Sequence, residues 1–232
     1  MSSKYIRTLA IALIVLAVAE AGPFAQHARL FKPEDLSELE QPDRDEWQRP
    51  DKIMDALGIG EASVVADLGA GSGWFTIKLA GRVGPNGMVY AEDIQRPMIQ
   101  AIKIRVDRLG LKNVTTVLGK DTDPQIPVPV DAVLICDAYH EMEQPVSLLR
   151  NMAAKLKPAG LIGIVDFTKD GGGPGPEMED RVDPEAVIRD AQKAGLVLRS
   201  RETFLKYQYL LVFEKPRSCS TNSAPLRRNT NG

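Results

Sequence analysis

Short apolar runs alternate with longer apolar stripes along most of this chain. Five of the runs are strand-like: residues 64–68, 88–91, 114–118, 131–136 and 161–166. Segments between most of these runs place apolar residues at helical spacing, and two further runs at 196–204 and 207–213 predict an antiparallel hairpin. Strands that alternate with helices are typical of a parallel sheet covered by helices on both faces. The pattern therefore predicts one α/β domain over residues 45–216, preceded by a linker or arm at 22–44 and followed by a disordered tail at 217–232.

The first predicted strand leads directly into a glycine-rich turn. Asp67 stands near its end, and Gly69, Gly71 and Gly73 follow at alternate positions before Trp74 opens a helix. Glycine tolerates positive φ and leaves no Cβ between the backbone and a ligand. A dinucleotide-binding fingerprint would have glycine at position 74, where a bulky indole stands instead. The turn therefore predicts a ligand site other than a pyrophosphate cradle, with the Asp67 carboxylate directed into the crevice and favouring a cationic or amine-bearing ligand.

The pattern D-x-G-x-G-x-G after a strand resembles motif I of the class I S-adenosylmethionine-dependent methyltransferases. The resemblance extends from about Trp47 to Lys215 and is similar in character to the ubiquinone/menaquinone-type small-molecule methyltransferases. It implies a Rossmann-like doubly wound sheet of seven strands in the order 3-2-1-4-5-7-6, with the last strand antiparallel. It also implies S-adenosyl-L-methionine as the cofactor and methyl transfer to a small-molecule or lipid-like acceptor.

The resemblance also implies which residues hold the cofactor. Asp93, at the end of the second strand, matches the family acid that accepts hydrogen bonds from the ribose, and Asp121 stands where an acid or amide meets the adenine amino group. Glu92 stands where an apolar residue is common, and we expect it to face away because successive strand side chains alternate. The complete set of expected cofactor-binding residues is Asp67, Gly69, Ala70, Gly71, Ser72, Gly73, Asp93, Ile94, Asp121, Asp137 and Tyr139.

The fourth predicted strand delivers a polar cluster to the mouth of the crevice. By the alternation of strand side chains, Asp137 and Tyr139 are expected to line the cofactor pocket, and His140 is expected at the outer rim. His140 is a candidate catalytic base if its pKa stays near neutral, with Glu141 orienting it or holding a polar group of the substrate. The alternative is a strand-end histidine that hydrogen-bonds only to the backbone.

The composition limits the partners of the protein. A formal net charge of −2 gives no global basic field to recruit nucleic acid. Two cysteines and two histidines give neither a disulfide framework nor a cysteine-rich zinc site, so no metal is expected. We expect a small-molecule or lipid-like substrate, no nucleic acid, and membrane contact through the N-terminal segment alone.

Two other functions remain open at the level of sequence. A nicotinamide-dependent oxidoreductase would use a similar sheet, although Trp74 counts against it. The other is an exported module that binds S-adenosylmethionine or a nucleoside without turnover. It is favoured by the N-terminal leader, because S-adenosylmethionine is made in the cytoplasm.

The first 21 residues read as a signal peptide. Lys4 and Arg7 form a basic start, an apolar segment follows at 9–18, and an Ala-x-Ala pattern ends at Ala21. The apolar segment is shorter than the roughly 20 residues that a membrane-spanning helix needs. The alternative is an uncleaved anchor or surface segment. A functional leader implies a periplasmic or secreted protein, and otherwise the protein is cytoplasmic or membrane-associated.

This leader generates a direct prediction. Protein from its native host is expected to begin after Ala21, or alternatively after Ala25, when its N-terminus is sequenced. A soluble cytoplasmic pool that retains residues 1–21 intact would contradict it.

Overall fold

The computed structural model describes residues 30–170 and 172–217. The predicted leader, both cleavage positions and residues 218–232 of the predicted tail lie outside the described residues, so export stays a prediction. Over the described ranges, none of the helices combines the length and the apolar character that spanning a membrane requires.

Seven strands form one sheet in the order β3-β2-β1-β4-β5-β7-β6. The strands are β1 (Val64–Leu68), β2 (Met88–Asp93), β3 (Val114–Leu118), β4 (Val130–Cys136), β5 (Leu156–Phe167), β6 (Val197–Glu202) and β7 (Gln208–Glu214). Strands β1 to β5 pair in parallel, and β7 is antiparallel to both β5 and β6. The predicted fold class and strand order are therefore confirmed.

Helices cover both faces of this sheet. They are α1 (Arg44–Gln48), α2 (Pro50–Ala56), α3 (Trp74–Val83), α4 (Arg96–Arg108), α5 (Pro145–Lys155) and α6 (Pro184–Lys193), with 3₁₀ segments at Pro33–Glu40 and Tyr139–Glu141. Alternate strand residues point to opposite faces. Leu68 thus packs in one apolar cluster with residues of α5 and α6, while Val65 packs in another with residues of α2 and α3.

Strand β5 begins earlier than the sequence indicates. The apolar run predicts a strand over residues 161–166, but residues 157–160 also belong to it, and Leu156 already pairs with Val130 of β4. Pro158 pushes the residue before it into an extended conformation, which ends helix α5 and starts the strand. The register shifts between Val130 and Ala132, which absorbs the additional length.

The strand order reverses between β1 and β4, so the carboxyl ends of the central strands border a crevice, as in other open α/β sheets. Residues 30–48, which we call the N-terminal arm, lie across this crevice. The Phe31 N–H donates to Glu141 Oε2 at 3.1 Å, and Gln95 Nε2 donates to the Phe31 carbonyl at 3.0 Å. The arm is thus attached to the ends of two different strands.

A buried ion pair attaches the second half of the arm. Arg44 Nη2 lies 2.8 Å from Asp137 Oδ2, and their side chains are 9% and 12% exposed. The Arg44 guanidinium also lies over the Trp74 ring, 4.2 Å from its centroid, and donates to the Leu39 carbonyl at 2.6 Å. Removing the guanidinium would leave the Asp137 carboxyl buried with less compensation, which is costly.

We expect Arg44→Leu to lower the free energy of unfolding by about 3–5 kcal/mol in urea titrations, because it leaves a buried carboxylate without its ionic partner. Lys157→Ala is the control, since Lys157 forms an exposed pair with Asp131 and should cost less than about 1 kcal/mol. Adding Asp137→Asn to Arg44→Leu should recover part of the loss. Equal losses for Arg44→Leu and Lys157→Ala would contradict the importance of the buried pair.

Candidate functional site

Two cavities meet at the carboxyl ends of the central strands. The first has a volume of about 560 Å³ and is bordered by the glycine turn after β1 and the ends of β2 and β4. The second, of about 420 Å³, lies between the N-terminal arm, the 3₁₀ segment after β4 and the loop at 174–180. Both cavities share Phe31, Leu39, Asp137 and Glu141 as lining residues. A ligand in one cavity therefore borders a ligand in the other.

Glycines of the turn build one side of the first cavity. Gly69 and Gly71 line it with φ of 66° and 53°, and a Cβ at Gly69 would come into close contact with the Ala138 side chain. Gly73, with φ of 76°, caps helix α3 and lies against Ile102. The first two glycines thus let the backbone approach a ligand, and the third packs the helix against α4.

Asp67, Ala70 and Ser72 make hydrogen bonds that hold the glycine turn in place. Asp67 is buried and accepts a hydrogen bond from Thr76 Oγ1 at 2.6 Å, and it does not line the first cavity. Burial raises the pKa of Asp67 to about 6, while the Thr76 hydrogen bond opposes the shift. The expectation that this carboxylate points into the crevice is corrected, because Thr76 binds it at the start of α3. The Ala70 N–H donates to the Glu92 carbonyl, and the Ser72 carbonyl accepts from Arg105.

Asp93 lines the first cavity as expected, and two backbone groups hold it in place. Its Oδ2 accepts the Gly71 N–H at 3.1 Å, and its Oδ1 accepts the Gln95 N–H at 2.8 Å. Each oxygen keeps a lone pair for a further donor. Burial raises the pKa of Asp93, and these hydrogen bonds oppose the shift. The carboxyl is thus positioned to accept hydroxyl protons.

Glu92 lines the same cavity, contrary to the expectation that it faces away. Its side chain leaves β2 on the opposite face, but it is long enough to reach the cavity over Gly119, where no Cβ stands in the way. Ile94 and Asp121 also line this cavity, and Ile94 is 36% exposed. The structure therefore brings Asp93, Ile94 and Asp121 together as predicted, with Glu92 added.

Asp137 follows the last residue of β4 in the left-handed conformation, with φ of 57°. Its carboxyl lines both cavities, accepts from Arg44 and Gln208, and lies within the network that Gln48 extends to Gln208. Burial raises the pKa of Asp137, and the Arg44 charge opposes the shift. Asp137 forms part of the wall between the cavities because it lines both of them. Its two oxygens already accept hydrogen bonds from Arg44 and Gln208.

Tyr139 does not line the cofactor cavity, which corrects the sequence expectation. Its ring is 3% exposed within the apolar cluster under α5 and α6, and its hydroxyl donates to Asp190 Oδ2 at 3.2 Å. The expectation assumed that strand alternation continues past β4. The strand ends at Cys136, and the 3₁₀ turn that follows rotates Tyr139 into the core.

His140 is buried rather than placed at an outer rim, with 6% exposure, and it lines the second cavity. Its Nδ1 lies 3.0 Å from Asp166 Oδ1, at the end of β5, and its backbone N–H donates to Asp166 Oδ2 at 3.0 Å. Burial alone would lower the pKa of His140, but the charge of Asp166 and the hydrogen bond to it, with contributions from Glu141 and Asp137, raise it to about 9. The imidazole is therefore a cation at neutral pH and a donor rather than a base.

Glu141, like Asp137, lines both cavities, and one of its carboxyl oxygens has no hydrogen-bond donor among the described residues. Its Oε2 accepts the Phe31 N–H, while Oε1 lies 3.7 Å from His140 Nε2, beyond hydrogen-bonding distance. Burial raises the pKa of Glu141, and the Phe31 N–H and the His140 charge oppose the shift. The expectation that Glu141 orients His140 is corrected, since Asp166 holds that role.

Sequence reasoning missed Arg44, Phe31 and Asp166 as site residues. Asp166 is a strand-end acid, so the rule that identified Asp93 could have found it. Arg44 and Phe31 belong to an arm without an apolar period, and only the tertiary structure places them over the crevice. Trp47 lines the second cavity beside Phe167, with ring centroids 6.1 Å apart.

The first cavity suits the implied cofactor. Its volume lies within the range of roughly 300–1,000 Å³ typical of small-ligand sites. Glu92, Asp93 and Asp121 make one end acidic, which disfavours a carboxylate or phosphate and favours a nucleoside with hydroxyl and amino donors. Asp93 would hold the ribose hydroxyls, and the backbone of Gly69 and Gly71 would border the ligand. Among the described residues, no cluster of histidine, cysteine and carboxylate groups could hold a metal ion.

Comparison with known proteins agrees with this arrangement. Residues 65–160 match a protein family described as a methyltransferase domain. The ubiquinone/menaquinone biosynthesis C-methyltransferase UbiE of Pasteurella multocida is 29% identical over 126 residues, which cover 53% of this chain and 46% of that protein. The protein of the same description from Proteus mirabilis is 26% identical over 171 residues, covering 71% of this chain and 63% of that one. The chain thus spans about half the length of the first of these relatives.

Solved structures extend the likeness to the whole domain. The crystal structure of a SAM-dependent methyltransferase from Aquifex aeolicus has 29% identity and a TM-score of 0.74, and the match covers 79% of this chain and 98% of that one. A type 11 methyltransferase structure from Sulfolobus solfataricus, at 22% identity and a TM-score of 0.59, supports the fold. The chain therefore contains a class I S-adenosylmethionine-dependent methyltransferase domain, whose cofactor is S-adenosylmethionine.

Proposed function

We propose that this protein transfers a methyl group from S-adenosylmethionine to a small-molecule acceptor held in the second cavity. The observation that carries the proposal is the wall shared by the two cavities, formed by Phe31, Leu39, Asp137 and Glu141. A cofactor in the first cavity and an acceptor in the second would meet at this wall. Holding donor and nucleophile in contact is the main requirement of this reaction, because the cofactor supplies an already activated methyl group.

On the acceptor side of the site, His140 supplies a cationic donor and Glu141 a candidate base. His140 Nε2–H lines the second cavity and would donate to an oxygen of the acceptor, where it stabilises developing negative charge. Glu141 has a raised pKa, and its Oε1 has no donor within the described ranges of the chain, so it would accept the proton that the acceptor loses. Asp166 keeps His140 charged and oriented from behind.

The relatives suggest a carbon acceptor. The Pasteurella multocida protein is described as a C-methyltransferase of ubiquinone/menaquinone biosynthesis. The second cavity has aromatic walls from Phe31, Trp47 and Phe167, and His140 supplies a hydrogen-bond donor. A hydroxylated aromatic ring fits both features, since a hydrogen bond to its oxygen helps to activate the neighbouring ring carbon. We therefore propose a small hydroxylated aromatic or lipid-like acceptor.

The other functions considered from the sequence lack support. The two relatives and the two solved structures named above are described as methyltransferases, which favours neither a nicotinamide-dependent oxidoreductase nor a binding module without turnover. Trp74 occupies the position of the third glycine of a dinucleotide site and holds the guanidinium of Arg44 on its ring. Trp74 thus packs against the N-terminal arm through Arg44.

Asp93→Ala is expected to weaken S-adenosylmethionine binding by about ten- to a hundredfold in calorimetric titrations. Each hydrogen bond to a charged acceptor contributes roughly 1.5–3 kcal/mol, and about 1.4 kcal/mol corresponds to tenfold in affinity. Glu143→Ala is the matched control, because Glu143 is an exposed acid lining the same cavity, and its removal should change affinity less than twofold. A loss below threefold for Asp93→Ala would exclude it as the ribose ligand.

Methyl transfer is tested with methyl-labelled S-adenosylmethionine and a panel of small hydroquinones. His140→Gln should lower turnover at least tenfold and leave donor affinity within about threefold, because the imidazolium acts on the acceptor in the transition state. The native rate should fall as the pH rises through about 9, where His140 loses its charge. Histidine NMR titration checks the same pKa, and the spectrum of His140→Gln assigns the resonance, because the sequence contains two histidines.

Two results would contradict this assignment. A protein that binds S-adenosylmethionine but labels no acceptor in the panel would favour binding without turnover. A His140 resonance that titrates near 6.5 would restore the histidine as a candidate base and remove the proposed role of Asp166.

A further inference from the structure

Glu92 is a buried carboxyl that the motif of the family does not require. It occupies the next-to-last position of β2, paired with Leu68 of β1 and Val117 of β3. The residue is 4% exposed, and yet it lines the first cavity. A carboxyl in this position carries a large desolvation cost unless something in the cavity compensates it.

The described residues satisfy only part of this group. Its Oε2 accepts the Gly69 N–H at a long 3.4 Å, and its Oε1 is buried without any hydrogen-bond partner in the described part of the chain. Gly119 lies directly beneath the carboxyl, where a Cβ would overlap it. The backbone thus makes room for a carboxyl that it does not bind, which points to a partner supplied from the cavity.

The surrounding charges determine which kind of partner this is. Burial raises the pKa of Glu92 to about 8, and the charges of Asp93, Asp67 and Asp123 add to the shift, while the Gly69 N–H opposes it. At neutral pH the carboxyl is therefore largely protonated and offers an O–H donor. Asp93 differs, because two backbone N–H groups hold it as an acceptor.

The position within the cavity indicates which part of the cofactor comes near. The reacting methyl group must face the wall shared with the second cavity, at Asp137 and Glu141. Glu92 lines only the first cavity, together with Asp121 and Lys120. With Asp93, the carboxyls at this end outnumber the lysine, so a neutral nucleoside is favoured over the carboxylate of the methionine part.

We propose that Glu92 is a further cofactor-binding residue, which donates a hydrogen bond to a ring nitrogen of the nucleoside base of S-adenosylmethionine. The inference rests on the proposed function. A purine base carries ring nitrogens that accept hydrogen bonds, while the ribose carries hydroxyls that donate them. The two neighbouring carboxyls thus bind different parts of one nucleoside, Glu92 the base and Asp93 the ribose.

The test is calorimetric titration of S-adenosylhomocysteine, which has the same nucleoside and lacks the reactive methyl group. Glu92→Leu should weaken binding about five- to tenfold, because one hydrogen bond is lost. Glu92→Gln should stay within about threefold, since the amide retains a donor. Glu143→Leu, which removes an exposed acid from the same cavity, should stay within twofold.

Analogues of the base identify the contacted atom. The 1-, 3- and 7-deaza forms of S-adenosylhomocysteine each replace one ring nitrogen of the base by C–H. The native protein should bind one of these forms more weakly than S-adenosylhomocysteine, namely the form that lacks the nitrogen contacted by Glu92. The same analogue should cost nothing further in Glu92→Leu, as a double-mutant cycle requires for a direct contact. Gly119→Ala should weaken binding in the native background by displacing the carboxyl.

Binding by Glu92→Leu within twofold of native would overturn the proposal, and so would deaza penalties that persist unchanged in that variant. If Glu92→Leu does not fold, Gly119→Ala and Glu92→Gln with the deaza series provide the same comparison. Native protein that fails to bind S-adenosylhomocysteine at all would overturn the proposed function itself. Loss of the Glu92 effect alone would leave that function standing.

Discussion

The buried ion pair between Arg44 and Asp137 connects the two parts from which the site is made. Asp137 belongs to the end of β4, and Arg44 belongs to the arm that lies across the crevice. A carboxylate at a buried strand end needs a donor, and here the donor comes from a segment 93 residues away in sequence. The pair therefore fixes the arm over the sheet and, with it, the position of Phe31 against Glu141. Both cavities depend on this attachment, because the arm lines each of them.

The same constraint, a carboxyl at the end of a buried strand, has a different solution at each strand. Thr76 binds Asp67 behind the glycine turn, two backbone N–H groups hold Asp93, and His140 binds Asp166 at β5. From the residues that the structure describes, Glu92 receives a single long hydrogen bond. Partners rather than residue type thus decide which carboxyls support the structure and which remain available to a ligand. At the carboxyl ends of the strands, Asp93 is thereby a hydrogen-bond acceptor, Glu92 is available to a ligand, and Asp166 holds the His140 imidazole in its charged form.

The parts of this site that follow from local sequence could be predicted, and those that depend on distant contacts could not. The glycine turn, Asp93 and the strand order follow from a strand–turn–helix pattern and a family resemblance that cover contiguous residues. The side-chain alternation used for Tyr139 stops being valid where β4 ends, because Asp137 at φ 57° and the following 3₁₀ turn change the direction of the chain. Glu92 departs from the same rule because its length lets it cross over Gly119. Ion pairing of Arg44 has no signal in the sequence, since the arm has no regular apolar pattern that would show where it packs.

A site arranged in this way carries a cost in the protein without its ligand. The pKa of Glu92 is raised on folding from an ordinary 4.5 to about 8, so the folded state binds a proton that the unfolded state releases between these values. By linkage, the stability of the free protein falls as the pH rises through this window, and above it the carboxyl is charged and buried. A nucleoside base that accepts a hydrogen bond from the protonated Glu92 carboxyl would favour the protonated form and offset this loss. Ligand affinity and fold stability are then coupled through the Glu92 side chain. This coupling explains how a residue that destabilises the free protein can stabilise the complex with the ligand.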